Sequence, residues 1–418
     1  MPNPATSAAQ PLAGVRIVEI SSFVAAPLAG MTLAQLGAEV IRVDPIGGAA
    51  DYRRWPLTDD GESIYWTGLN KGKRSITADL RAPAGQLLVT RLITGGGPSG
   101  GILLTNAAGR DRLDYETLTA TRPDLIQLEI LGRADGSAAV DYTVNAATGF
   151  PLVTGPADHE GPINHVLPAW DLLCGVYAAL AITAAVRHRD ATGQGSRITL
   201  PLEDVALATV GNLGFLTEAA LCGRQRPRLG NAIYGQYGQH FTSADGVSFM
   251  VVALTSRHFR DLTELTGSTA AVDALATALA ADFTDEGTRY RHRDVLTGLF
   301  TPWFRDRPAE EIGTALAKTS VLWERYRSFD ELATDPRITA NPLFTLLDQP
   351  EIGEYLAPGS PISVNGAHIP ARPAPRLGEH TESVLQDRLG LSPESIAALH
   401  MSSIVANEPP ERIARRSV

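Results

Sequence analysis

HVLPAWDLLCGVYAALAITAAVRHRDATGQGSRITLPLED, residues 165–204, decides how the rest of the chain is read. Pro168 punctuates a loop, and no charged residue follows Asp171 until Arg187. Leu172, Val176, Leu180 and Val186 recur at roughly helical spacing, and the many alanines favour helix and close packing. The basic turn from Arg187 to Arg189 suits a helix C-terminus, where the backbone dipole favours positive charge. DATGQGS then reads as a turn and RITLPLED as a short strand entering another helix. Asp171 stands where loop becomes helix, and two readings fit it. As an N-cap, its carboxylate accepts hydrogen bonds from free backbone amides and does nothing else. As a functional group, it is held ionised by those amides, with a lowered pKa, and attacks an acyl carbon.

The chain has 418 residues, enough for two or more domains and a substantial core. Hydrophobic residues at 44% and charged residues at 20% describe an ordinary globular protein. A net charge of −10 disfavours non-specific nucleic-acid binding by the whole chain, though local basic clusters can still meet an anionic ligand. The two cysteines are Cys174, inside the apolar helix, and Cys222; they make no disulfide framework, so a cytoplasmic location is expected. Outside the 165–204 stretch no run of apolar residues suits a membrane span, and that helix has the flanks of a buried one. The first ten residues, polar and uncharged, lack the pattern of a signal peptide.

From the start, LAGVRIVEI reads as a strand, AAPLAGMTLAQLG (25–37) as a helix and EVIRV (39–43) as a second strand. That is the opening of a parallel α/β sheet. Between strand and helix stands SSFVAAP, without the spaced glycines of a dinucleotide site, so a nicotinamide cofactor is disfavoured. Lys71, Lys73, Arg74 and Arg81 cluster against an acidic background, either as a solvated loop or as a patch for phosphates. Further strands are read at 101–105 and 125–130, and VDYTVNAATGFPLVTGP (140–156) as a polar loop. One helix is expected from Asp204 to about Leu221. Composition changes at RQRPRLGNAIYGQYG, and 239–254 reads as a hairpin turning at Asp245–Gly246. PRITANPLF, from Pro336, marks a return to the first domain.

PLAGVRIVEIS, LAQLGAEVIRVDP, GLNKGKRSITADLR, AWDLLCGVYAALAITAAVRHRDATGQGS and PAPRLGEHTESVL, in that order, resemble the class III CoA-transferase family over nearly the whole chain. The resemblance implies an α/β fold with a Rossmann-like large domain around a parallel sheet, a smaller α+β domain and an interlocked homodimer. The implied division is 1–222 for CoA binding and the catalytic aspartate, 223–335 for the small domain, and 336–418 returning to the large one. The family's catalytic aspartate matches Asp171. By the same resemblance Phe23, Val24, Ala25, Arg42, Ala78, Arg81, Asn106 and Leu202 fall at or beside CoA contacts, with Arg81 and Arg112 chosen for phosphate. Backbone amides near Val24 and Ala25 are the candidates for stabilising an oxyanion. A family basic contact falls near Ala139 here, so part of the phosphate site must differ. Neither a prosthetic group nor a metal is implied; coenzyme A enters as part of the substrate. No nucleic-acid or membrane partner is expected.

SSFVAAPLAGMTLAQLG, DPIGGAADYRRWP, VDYTVNAATGFPLVTGP and NHVLPAWD resemble a branch that moves CoA from one carboxyl to the other of a methyl-branched unsaturated dicarboxylate, as in mesaconyl-CoA. Two departures agree with that. The histidine that family racemases carry before VDYTVN is Val140 here, and valine cannot exchange a proton. The glycine run of intermolecular members is missing between Leu229 and Leu254. The substrate's free carboxylate needs a cation, Arg53 or Arg54, and Trp55, Tyr65, Tyr142 and Asn145 are candidate pocket residues. An intermolecular transferase using succinyl-CoA and a non-catalytic acyl-CoA-binding protein remain as alternatives.

Overall fold

The computed structural model describes residues 10–107, 113–223 and 225–407. Two compact units emerge. The first holds the described parts of 1–148, 166–217 and 336–418, and the second holds 149–165 and the described parts of 218–335. Compared with the expected boundaries, the second unit begins at Glu218 and also takes in Gly149–His165.

The first unit is built on strands β1 (Arg16–Ile20), β2 (Glu39–Asp44), β3 (Arg74–Ala78), β4 (Ile102–Thr105), β5 (Ile126–Leu131) and β6 (Ser196–Pro201). They run parallel in the order 3-2-1-4-5-6, with a short strand, Val405–Ala406, antiparallel on the outer edge of β3. This is the doubly wound strand order. The central strands are buried on both faces and accordingly read as near-continuous apolar runs, such as ILLT in β4. The connecting helices are α1 (Ala25–Gln35), α2 (Ile64–Asn70), α3 (Pro83–Thr94), α4 (Tyr115–Thr121), α5 (Asp141–Ala146), α6 (Phe150–Val153, in the second unit), α7 (Ala169–Thr192) and α8 (Leu202–Asn212). On one face, Val89, Leu92 and Ile93 of α3 pack against Val18, Ile20, Ile41, Ile76 and Leu103. On the other, α1 and α7 lie side by side, α1 over β1 and β2 and α7 over β5 and β6. Gly175 permits that approach: a Cβ there would stand 2.8 Å from the Ala25 carbonyl oxygen.

Two elements differ from their sequence reading. The 140–156 stretch, read as a loop, forms α5 and α6. The helix expected from Asp204 to Leu221 is two helices, Leu202–Asn212 and Phe215–Cys222, bent by 58° at a break where Gly214 takes φ +79°. Glycine adopts that left-handed backbone without Cβ strain. In the second unit, β7 (Tyr237–Thr242), β8 (Ser248–Ala253) and β9 (Leu322–Arg325) form an antiparallel sheet. Its hairpin turns at Asp245–Gly246, and Phe241 stacks on Phe304 with ring centroids 4.2 Å apart.

Beneath α1 lies a buried ionic cluster. Lys73 Nζ donates to Glu19 Oε1, the Pro27 carbonyl and Asn70 Oδ1, each at 2.8 Å. Arg42 makes a two-pronged bond to Asp44 at 2.8 and 2.9 Å and reaches Asp51 at 3.3 Å. Glu19, Arg42, Asp44, Asp51 and Lys73 are each 3% exposed or less. Gly30 makes room for it, since a Cβ there would stand 1.7 Å from Glu19 Oε2. Removing one partner of such a cluster strands a charge out of water. Lys73→Met is therefore expected to cost about 3–5 kcal/mol, read as a lowered midpoint in urea denaturation.

Candidate active site

Strand order reverses between β1 and β4, and open α/β sheets bind ligands in the crevice beyond the strand ends at such a point. The loops there are Ser21–Val24 and Asn106–Ala107. Asn106 ties them: its Oδ1 accepts from the Ser22 N–H at 3.0 Å and its Nδ2 donates to the Ser22 carbonyl at 2.8 Å. Phe23 has φ +65°, a left-handed backbone that a bulky residue keeps only where its surroundings enforce it. The Phe23 backbone amide lies near Asp51 of the ionic cluster and favours the charged form of that carboxyl group. Val24 caps α1 with no side-chain bond, so the first amides of that helix remain donors.

Asp171 lies on the same face of α7 as Gly175, one turn before it, beside these loops. It is not the N-cap. Pro168 holds that place, and Asp171 is the third residue of the helix. The capping is done from outside the helix: Asp141 Oδ2 accepts from the N–H of Trp170 at 2.8 Å and of Asp171 at 3.1 Å. The Asp171 carboxyl group accepts no hydrogen bond from a described residue. The expected lowering of its pKa is also overturned. Burial pushes it up to about 7, the Asp141 carboxylate adds to that, and the Arg54 guanidinium opposes it. With its first-turn amides claimed by Asp141, the helix offers Asp171 little relief from desolvation.

Arg54 stands between two rings, its Cζ 5.4 Å from the Phe23 centroid and 5.1 Å from that of Tyr65. Its carbonyl accepts from Ser63 Oγ at 2.6 Å, and Ser63 also caps α2, which carries Tyr65. The Tyr65 hydroxyl is buried without a hydrogen-bond partner among the described residues. Burial raises its pKa to about 12, and Asp171 is near enough to contribute. Phe23, Arg54, Tyr65 and Asp171 thus share one locality.

Other expected residues fall elsewhere. Arg53 and Trp55 are exposed, Trp55 at 77%. Tyr142 is partly exposed and donates to the Val166 carbonyl at 3.4 Å. Asn145, expected beside the pocket, is fully buried, and its Oδ1 accepts from Trp170 Nε1 at 3.1 Å. Arg42, expected beside CoA, is sealed in the ionic cluster with its guanidinium committed to carboxylates, Ser21 and Asn70. The same burial dissolves the expected basic patch. Lys73 is within that cluster, Lys71 is buried with its pKa lowered to about 8 by desolvation, and Arg74 pairs with Glu39 at 2.9 Å. Arg81 remains open, its side chain 96% exposed. Val24, Ala25, Ala78 and Leu202 are buried, which leaves mainly backbone for a ligand. Arg112 lies outside the described residues. Asp141 and Asp51 were missed; their partners are distant in sequence, and only the Asp at the start of a helical run hinted at the first.

The profile of CoA-transferase family III matches residues 12–381. The chain is 47% identical over 407 residues to 2-methylfumaryl-CoA isomerase of Chloroflexus aurantiacus, covering 96% of this chain and 99% of that one. It is 31% identical to the succinate–glutarate CoA-transferase of Agrobacterium fabrum, covering 90% and 95%. A crystal structure of a CAIB/BAIF family protein from Brucella suis superposes with TM-score 0.74 at 28% identity, covering 91% of this chain and 99% of that one.

Because folded Asp171 keeps its proton to about pH 7, whereas a free aspartate loses it near 3.8, stability falls as pH rises between the two. Asp171→Asn removes that fall. Its advantage in unfolding free energy over the natural chain is expected to grow from pH 4 to 7 and then level off at about 2 kcal/mol, followed as a widening difference in Tm by thermal denaturation.

Proposed function

The chain belongs to CoA-transferase family III, and from that premise we propose that it moves coenzyme A between the two carboxyl groups of one methyl-branched unsaturated dicarboxylate, converting 2-methylfumaryl-CoA to 3-methylfumaryl-CoA. One observation supports this most. The fold makes no use of the Asp171 carboxyl group, which is half-buried, accepts no hydrogen bond from a described residue and lies near Arg54 and Tyr65. A non-catalytic acyl-CoA-binding protein would owe Asp171 to capping, and Asp141 does the capping instead.

In the proposed reaction an Asp171 oxygen attacks the thioester carbonyl; the carbon–sulfur bond breaks, leaving a mixed anhydride and CoA thiolate. The thiolate attacks the aspartyl carbonyl, giving an aspartyl-CoA thioester and releasing the first carboxylate. The other carboxylate of the retained acid then attacks that thioester and expels the thiolate again. Thiolate attack on the new acyl carbon completes the exchange and frees Asp171. Negative charge gathers on an oxygen at each step, and the first amides of α1 and the Tyr65 hydroxyl are donors suited to it. Arg54 pairs with the free carboxylate and Arg81 with CoA phosphate. The working form is a cytoplasmic interlocked homodimer; Val176 at 55%, Leu180 at 62% and Leu213 at 60% exposure give a single chain apolar surface for a second copy to cover.

The 31% identical succinate–glutarate CoA-transferase favours a second reading, exchange with a free acid. Incubation of mesaconyl-CoA with labelled free mesaconate separates the two. The isomerase reading expects unlabelled product, and label at the level of turnover overturns it. Hydroxylamine during turnover is expected to leave a hydroxamate on Asp171, found by peptide mass spectrometry. Arg54→Leu is expected to lower kcat/KM about 100-fold and to shift the acid limb of its pH profile upward, since Arg54 favours the anion.

A further inference from the structure

We propose that Asp141 is the positioning residue of Asp171: it clamps the first turn of α7 from outside that helix and faces the nucleophile with a like charge. The proposal rests on Asp171 being the nucleophile.

The clamp is dense. Over one short helix, α5 grips residues 166–171 through Tyr142 to the Val166 carbonyl, Asn145 to the Trp170 indole, and Asp141 to two successive backbone amides. Asp141 is 2% exposed, so the grip is sealed from water. Fixing the helix start fixes the Asp171 Cα, from which the carboxyl group reaches toward Arg54. Capping alone does not account for an aspartate here. One oxygen, Oδ2, takes both amides, while Oδ1 is buried with no hydrogen-bond partner among the described residues. A serine would cap the helix with no second polar atom left over. What the carboxylate adds is charge, close to a second carboxyl group in a poorly solvated place.

The groups facing Asp171 are few. Asp141 comes from α5, Arg54 from the loop before α2, Tyr65 from α2, and Cys174 from α7 itself. Asp141 pushes toward the protonated, more basic carboxyl group and Arg54 pulls toward the anion. A more basic carboxylate is the stronger nucleophile toward a thioester once ionised, and the opposed charges keep the ionised fraction useful near neutrality.

Asp141→Asn tests this, because the amide oxygen still accepts from both N–H groups while the charge goes. With Asp171 titrating at about 7, kcat/KM of the natural enzyme is expected to fall about 30-fold from pH 8.5 to 5.5. In Asp141→Asn the fall is expected to be less than about 10-fold. CoA phosphates also titrate near pH 6, but equally for both enzymes. If Asp141→Asn folds poorly, Asp141→Ser, a smaller acceptor without charge, carries the same expectation. An unchanged fall in a folded variant overturns the proposal. Hydroxamate formation on Asp171 of the natural enzyme is measured alongside. Its absence sinks the nucleophile itself, whereas its presence with an unchanged pH profile sinks only the role of Asp141.

Discussion

Five charged side chains shut away from solvent, Glu19, Arg42, Asp44, Asp51 and Lys73, join the ends of β1, β2 and β3. Burying such groups is costly, and the cost is offset only while every member keeps its partners. The cluster therefore behaves as a joint with one permitted arrangement. Its influence runs outward through charge. The Phe23 amide, on a backbone at φ +65°, lies near Asp51 and favours its charged form. Phe23 offers its ring to Arg54, which Tyr65 flanks from the other side, and Arg54 acts on Asp171. A carboxyl group on one helix is thus electrostatically coupled to strands on which it does not sit.

A second chain of positions reaches the same carboxyl group from the opposite direction. Gly175 lets α7 settle against the start of α1, and α5 holds the beginning of α7. Asp171 is set by helix placement, and its surroundings by loops anchored in the sheet. The two come together at the point where strand order reverses, the position that doubly wound sheets leave open for ligands.

Much of this was legible in residues 165–204, where apolar spacing, the alanine content and the basic end define α7 and single out Asp171. The alternation of strand and helix in the first 45 residues likewise gave the parallel sheet. What could not be read was pairing across distance. Asp171 was placed at the cap because nothing local separates a cap from the third residue of a helix, and the true capping carboxylate lies 30 residues upstream. Lys71, Lys73 and Arg74 looked like a phosphate patch because a linear charge pattern omits what folds over it; Glu19 and Glu39 claim two of the three. The resemblance implies a place beside CoA for Arg42, and what it does not show is that the side chain turns into the ionic cluster.

The short strand Val405–Ala406 sits along the outside of β3, and Thr77 Oγ1 both donates to and accepts from the Ala406 backbone, at 2.7 and 3.1 Å. Residues 378–381 also bond this edge, the His380 N–H reaching the Ser75 carbonyl at 2.8 Å, so the strip completes the cover over Thr77 and Ala78, where another chain could otherwise add a strand. Two residues near the far end of the polypeptide therefore act as a hem on the sheet. Until they dock, that end of β3 stays open to the addition of a strand.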